Sequence, residues 1–218
     1  MQRHSEQEYF AKPLAELEKL KVNKEKKALG NFLVAEFFAD INGGTDEWRK
    51  SVEARFEDIF KRYDDTKIAP KAHLVFAHFL RNRQEYLKAL VHTKKIEDSW
   101  KGTKESFEAA KLRVQITTPR VALRVDRVFK SSEKAKFKLT TRNERKIKLS
   151  VYKIELMGQF LERKDLQKVV NTFKPGSQKP VAEWEKTFSG DENHHWNEEL
   201  IDLPVEGSGA YILLAKGR

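Results

Sequence analysis

The sequence predicts an α+β protein built in two parts, an all-α module over residues 1–116 followed by an antiparallel β-sandwich over residues 117–218. Two observations carry this. Ahead of Pro119 apolar residues recur every three or four positions, with no proline between Pro13 and Pro70. Beyond it apolar and polar residues alternate, so the period changes from 3.6 to 2. Thr117-Thr118-Pro119 marks the boundary, because a residue that precedes proline is pushed out of the helical region. The second part holds short runs separated by polar turns, which suits an antiparallel sandwich better than a parallel sheet.

In the first part Tyr9, Leu14, Leu17 and Leu20 predict a first amphipathic helix. The run Leu29 to Ile41, with Phe32, Leu33, Val34, Phe37 and Phe38, predicts a second that is largely buried. Asn42-Gly43-Gly44 ends it, since glycine takes the left-handed cap conformation at little cost. Thr45 caps a third helix, with Asp46 and Glu47 favourably placed at its positive end. Its face is Trp48, Val52, Phe56, Ile59, Phe60 and Tyr63. Asp64-Asp65-Thr66 breaks the chain, and Pro70 fits the first turn of a fourth helix bearing Leu74, Phe76, Ala77, Phe79 and Leu80. A fifth carries Tyr86, Leu87, Leu90, Val91 and Ile96 and closes at Trp100-Lys101-Gly102. Thr103 opens a sixth with Phe107, Ala110 and Leu112. Such short loops make successive helices antiparallel neighbours.

Ala77, Tyr86 and Ala89 resemble the small-residue contacts and Tyr-x-x-Ala of a degenerate tetratricopeptide unit, and Phe60 to Thr66 is similar to its inter-repeat turn. Thr93 and Ile96 depart from that pattern, and no proline closes the unit. The resemblance implies a scaffold rather than chemistry.

In the second part Val121, Leu123 and Val125 share one face of a strand. Ala135, Phe137 and Leu139 point inward from a second, with Lys134, Lys136 and Lys138 outward. Arg142 to Arg145 is a turn. Lys146 to Leu156 is a long strand with Ile147, Leu149 and Val151 inward, and its phase shift near Tyr152 predicts a bulge. Phe160 to Val170 returns to helical spacing, a helix inserted between strands. Val181, Trp184 and Phe188, then Trp196 to Leu203, then Gly209 to Leu214 supply the last strands.

Thr118-Pro119-Arg120-Val121, Phe137 to Asn143 and Leu149 to Ile154 resemble an amino-terminal macroglobulin-like domain, immunoglobulin-like in fold, of bacterial alpha-2-macroglobulin-family proteins. Glu199-Leu200-Ile201-Asp202-Leu203-Pro204 and Gly207 to Ala215 are similar to the ending that closes such a domain there. The resemblance covers residues 117–218. It implies a non-enzymatic structural or docking fragment of a protease trap in the periplasm or cell envelope. Its partners are then other domains of a longer chain, and proteases are the targets of the whole protein. The alternative is a standalone helical-repeat adaptor that binds a peptide or an acidic surface.

Composition narrows the chemistry. The 218 residues include 43 Lys+Arg, 33 Asp+Glu and no cysteine, for a formal charge of +10. A thiol nucleophile, a disulfide framework, a Cys-based zinc site and the family's cysteine thioester are therefore outside this stretch. No apolar run is long enough for a membrane span, and the charged start lacks a signal peptide's apolar segment. No phosphate-binding glycine loop, dinucleotide fingerprint or Gly-x-Ser-x-Gly elbow occurs.

Six histidines remain. His4 has no paired ligand in sequence. His73 and His78, five apart, do not share a helix face. His194-His195 sits in Asp191-Glu192-Asn193, a turn rich in ligand types but expected to be solvated. Asp64-Asp65 reads as turn chemistry, and Glu198-Glu199 lies beside strand residues. No catalytic, cofactor-binding or metal-binding residue is assigned, and the chain is read as no enzyme.

From Arg120 to Lys153 twelve basic residues face three acidic ones, a local +9 that leaves the rest at +1. Nucleic acid ranks last among the partners this suggests, because stacking sheets interleave exposed aromatics with the charge, and Phe137 points away from the lysines. A solvated or edge-guarding face ranks first.

Overall fold

The computed structural model describes residues 15, 16, 18–41, 44–130, 132–188 and 193–217. The chain is α+β and divides into two compact units, Met1–Ile116 and Thr117–Arg218.

Within the first unit the described helices are α1 (Lys24–Asp40), α2 (Asp46–Tyr63), α3 (Ala69–Asn82), α4 (Tyr86–Ser99) and α5 (Lys104–Thr117). Tyr9, Leu14 and Leu17 lie outside the described residues, and Leu20 is exposed. Side-chain caps set the starts. Asn23 Oδ1 accepts from the Lys26 amide at 3.0 Å, Thr45 Oγ1 from Trp48 at 3.2 Å, and Thr103 Oγ1 from Ser106 at 3.2 Å. Pro70 occupies the first turn of α3, where a missing N–H costs nothing. Gly102, at φ +78°, makes the left-handed turn after α4.

α1 corrects the expectation of a largely buried helix. One stripe is buried (Ala28, Phe32, Ala35, Phe38), while Leu29, Leu33 and Phe37 are about half exposed. At 3.6 residues per turn, packing against α2 and α3 uses a single face. α2 and α3 bury the expected faces, whereas in α4 and α5 Leu87, Val91 and Phe107 face outward and Ala89, Thr93, Ser106 and Ala109 are buried. At the α3–α4 contact the small Ala77 and Ala89 let the backbones approach. The core between α2 and α3 is aromatic, with Phe56 stacked on Phe76 at 5.0 Å and Phe76 on Phe79 at 5.9 Å. Each fully buried phenylalanine contributes roughly 2–3 kcal/mol.

The second unit has β1 (Arg120–Arg124), β2 (Lys136–Arg142), β3 (Lys146–Ile154), α6 (Leu156–Arg163), α7 (Leu166–Thr172), β4 (Ala182–Thr187), β5 (Asn197–Asp202) and β6 (Ala210–Gly217). They form two three-stranded antiparallel sheets, ordered β1-β2-β5 and β4-β3-β6. The buried cluster draws Phe137 and Leu139 from one and Ile147 and Leu149 from the other, and Phe137 meets Trp184 at 6.3 Å.

Two expectations fail on β3 and its insertion. The register with β6 runs unbroken from Ile147↔Gly217 to Ile154↔Ala210, so there is no bulge. Tyr152 is buried because its own face is covered: its ring lies 5.5 Å from Phe173, just past α7. Covering both faces of a strand destroys the alternation that a bulge would also disturb. The inserted helix is two helices. Lys164 turns left-handed at φ 52°, and Asp165 restarts the chain by accepting from Gln167 N at 2.8 Å and Lys168 N at 3.3 Å.

Candidate functional site

A polar arrangement in the helical unit joins three elements. Asp64, at the C-terminal end of α2, receives His73 Nε2 at 3.0 Å and Lys95 Nζ at 3.1 Å. His73 Nδ1 lies 2.8 Å from His92 Nδ1. Only one nitrogen of that pair can carry the proton. Since Asp64 accepts from His73 Nε2–H, a neutral His73 offers a bare Nδ1, and we assign the donor as His92 Nδ1–H. His92 Nε2 is then left as an acceptor. The walls are aromatic: Phe60 stacks on His73 at 3.9 Å and Phe76 meets His92 edge-on at 4.9 Å.

The electrostatics follow from burial. Loss of water pushes the His73 imidazole down, against the pull of Asp64. Burial, helped by His73 beside it, pushes His92 down to about 4. Burial alone would raise the Asp64 carboxyl, but its hydrogen bonds from His73 and Lys95 hold it below the usual range. An Asp–His–His chain can relay a proton. Among the described residues the imidazoles hydrogen-bond to Asp64 and to each other. The arrangement ties α2, α3 and α4 together.

The other candidates fall elsewhere. His73 does not pair with His78, which is half-buried and lies 3.5 Å from Arg81. His194 is not simply solvated, since its Nδ1 lies 2.6 Å from Asn143 Oδ1 and so braces the β2–β3 turn. His4, Asp191 and Glu192 lie outside the described residues. Among the described residues no three His, Asp or Glu groups cluster as metal ligands. Asp65 pairs with Lys24 at 2.6 Å, Glu198 with Lys138 at 2.7 Å, and Glu199 with Lys186.

The basic stretch is also answered within its own unit. Lys136 faces Asp202 at 3.4 Å, and Lys148 faces Glu183 at 2.8 Å. The acids of β4 and β5 therefore lie across the strands from the lysines of β2 and β3, and the local +9 is not a bare cationic face. The sequence could have shown this only through strand pairing.

Two kinds of cavity remain. One of about 700 Å³ in the helical unit is lined by Glu36, Asp40, Trp48, Arg49, His78 and Arg83 among others, with both signs of charge and an indole face. Arg83 lies over the Trp48 ring at 4.6 Å. The β unit has a trough of about 530 Å³, where Leu123, Phe129, Phe137 and Leu213 meet the charged Arg127, Glu133 and Lys136.

Comparison with family models, with curated proteins and with solved structures finds no match for the chain. The functional reading therefore rests on residues and geometry.

Proposed function

We propose that this chain is a non-enzymatic structural and docking fragment from the amino-terminal part of a bacterial alpha-2-macroglobulin-like protease trap, working in the periplasm or cell envelope. The observation that carries the reading is a corner at the start of β6. Tyr211 Oη donates to the carbonyls of Glu206 at 3.0 Å and Gly207 at 3.3 Å, pinning the loop from β5. Immunoglobulin-like sandwiches place a tyrosine at this corner, its hydroxyl bound to backbone a few residues upstream. The strand order supports the same reading. Two antiparallel sheets of order β1-β2-β5 and β4-β3-β6, with Phe137 of one against Trp184 of the other, are what such a sandwich requires. The helical part then serves as the tetratricopeptide-like scaffold ahead of the sandwich, with Ala77, Tyr86 and Ala89 buried at the α3–α4 contact.

The second reading, a helical-repeat adaptor, is favoured by the mixed-charge cavity around Trp48 and Arg83. The native size of the protein separates the two. An antibody against the helical unit should detect a species many times larger than this chain in an envelope fraction of the source cells. A single band at the mass of 218 residues would remove the trap and leave the adaptor.

A further inference from the structure

The helical insertion between β3 and β4 is apolar on its outside. Of the residues in α6 and α7 only Val169 is buried. Met157 and Leu161 are 65% and 66% exposed, and Leu166 and Val170 are more than half exposed. Leu156, Met157, Phe160 and Leu161 fall within an arc of about 140° on α6, with Gln159, Glu162 and Arg163 across from it. Beside that arc an apolar cleft of about 480 Å³ is lined by Ile154, Leu156, Met157, Phe160, Leu166 and Ala210 among others. Apolar surface gathered in this way marks a docking face.

Charge selects the partner. Lys153, Arg163, Lys164, Lys168, Lys174 and Lys179 lie in or beside the insertion, and among the described residues none of them makes an ion pair. Gln178 Nε2 donates to the Lys153 carbonyl at 2.8 Å, which folds the stretch between Lys174 and Lys179 back onto β3. Lys153 itself reaches the edge of the cleft, where its Cε lies 3.0 Å from the place a Cβ on Gly209 would take. Two nearby acids are engaged at helix starts. Glu155 accepts from Gly158 N at 2.6 Å, and Asp165 accepts from Gln167 N and Lys168 N. Glu162 is the acid left over within the two helices.

An interface with another protein domain depletes lysine where it buries apolar side chains. An exposed apolar helix rimmed by lysine and arginine instead suits the boundary between acyl chains and anionic headgroups. We propose that the α6–α7 insertion docks on an anionic lipid surface. Met157, Leu161 and Leu166 enter the acyl boundary, and the six bases hold the headgroup phosphates. The inference does not rest on the macroglobulin reading.

Cosedimentation of the whole chain with vesicles tests it, using phosphatidylcholine alone and equal parts phosphatidylcholine and phosphatidylglycerol. Since the chain has no cysteine, Leu161→Cys carries a single environment-sensitive dye. The chain should bind the anionic vesicles and not the neutral ones, with a blue shift of the dye. One base at such a surface is worth about fivefold, so Lys164→Gln with Lys168→Gln should weaken binding roughly 25-fold. Lys136→Gln with Lys138→Gln, which removes the same charge from β2, should cost less than about fivefold. The formal +10 alone would draw the chain to anionic vesicles, so the deciding variant keeps the charge. Met157→Asn with Leu161→Asn should weaken binding at least tenfold. If that variant does not fold by circular dichroism, the dye on the otherwise natural chain decides. Failure to bind the anionic vesicles, equal binding to neutral ones, or a bound chain whose dye stays in water overturns the proposal. Binding that survives the loss of Met157 and Leu161 does so too, because it is charge attraction alone. A dye shift with soluble polyglutamate but not with vesicles would hand the face to an acidic protein.

Discussion

Acid should loosen the helical unit through His92. In the folded chain burial holds this imidazole down to about 4, against an ordinary value of 6.5. The sign follows from proton binding. Between those two values the unfolded chain carries the proton and the folded chain does not, so lowering the pH favours unfolding. The contribution is harmless above 6.5, grows as pH falls, and saturates below 4. Each pH step of one corresponds to about 1.4 kcal/mol, so the loss between pH 7.5 and 4.5 comes to about 2.5 kcal/mol. Asp64, held low, adds its own loss only nearer the bottom of that range and in the same direction. His92→Asn isolates the histidine. Its amide keeps a donor within reach of His73 Nδ1 but does not titrate, at a cost of about 1–2 kcal/mol at neutral pH from lost packing against Phe60 and Phe76. Urea unfolding followed by helical circular dichroism at several pH values, in both proteins, gives the two curves. They should converge and then cross as pH falls, the natural chain losing about 2.5 kcal/mol more than the variant between pH 7.5 and 4.5. Parallel curves would refute the assignment of a buried, neutral His92.

Three further perturbations follow from the β unit. Tyr211→Phe removes two hydrogen bonds to the β5–β6 loop and should cost about 1 kcal/mol in urea unfolding monitored by tryptophan fluorescence; no change would show the corner to be ornamental. Lys138→Glu places a second acid beside Glu198 and should destabilise by about 0.5–1 kcal/mol, with Glu198→Lys restoring most of it in the double variant. Additive losses would show that the pair does not interact. Phe137→Ala empties the centre of the cluster shared by the sheets and should cost about 3–5 kcal/mol, seen as loss of the near-ultraviolet signal of Trp184 while helical circular dichroism persists.

What the sequence shows well is what depends on local order. The change of period at Pro119, the Thr45 and Thr103 caps, Pro70 in a first turn and the inward set Phe137, Leu139, Ile147 and Leu149 all follow from residues near one another in the chain. What it misses depends on partners distant in sequence. His73 and His92 meet only because α3 packs on α4, and spacing along a single helix cannot reveal that. The neutralising acids of β4 and β5 become visible only once strands pair. A covered second face imitates a bulge at Tyr152. The break between α6 and α7 was legible in principle, since Lys164-Asp165 offers a capping aspartate in mid-pattern.

The trap reading makes its sharpest claim about proteases. Trypsin is incubated with an excess of either this 218-residue chain or the native protein captured through its helical unit, and then assayed on a large protein substrate and a small chromogenic one. The account predicts that the isolated chain spares both activities, while the native protein abolishes only the first, because an enclosed protease still admits small molecules. Loss of large-substrate activity with the isolated chain, or a native protein that leaves both activities intact, would contradict it.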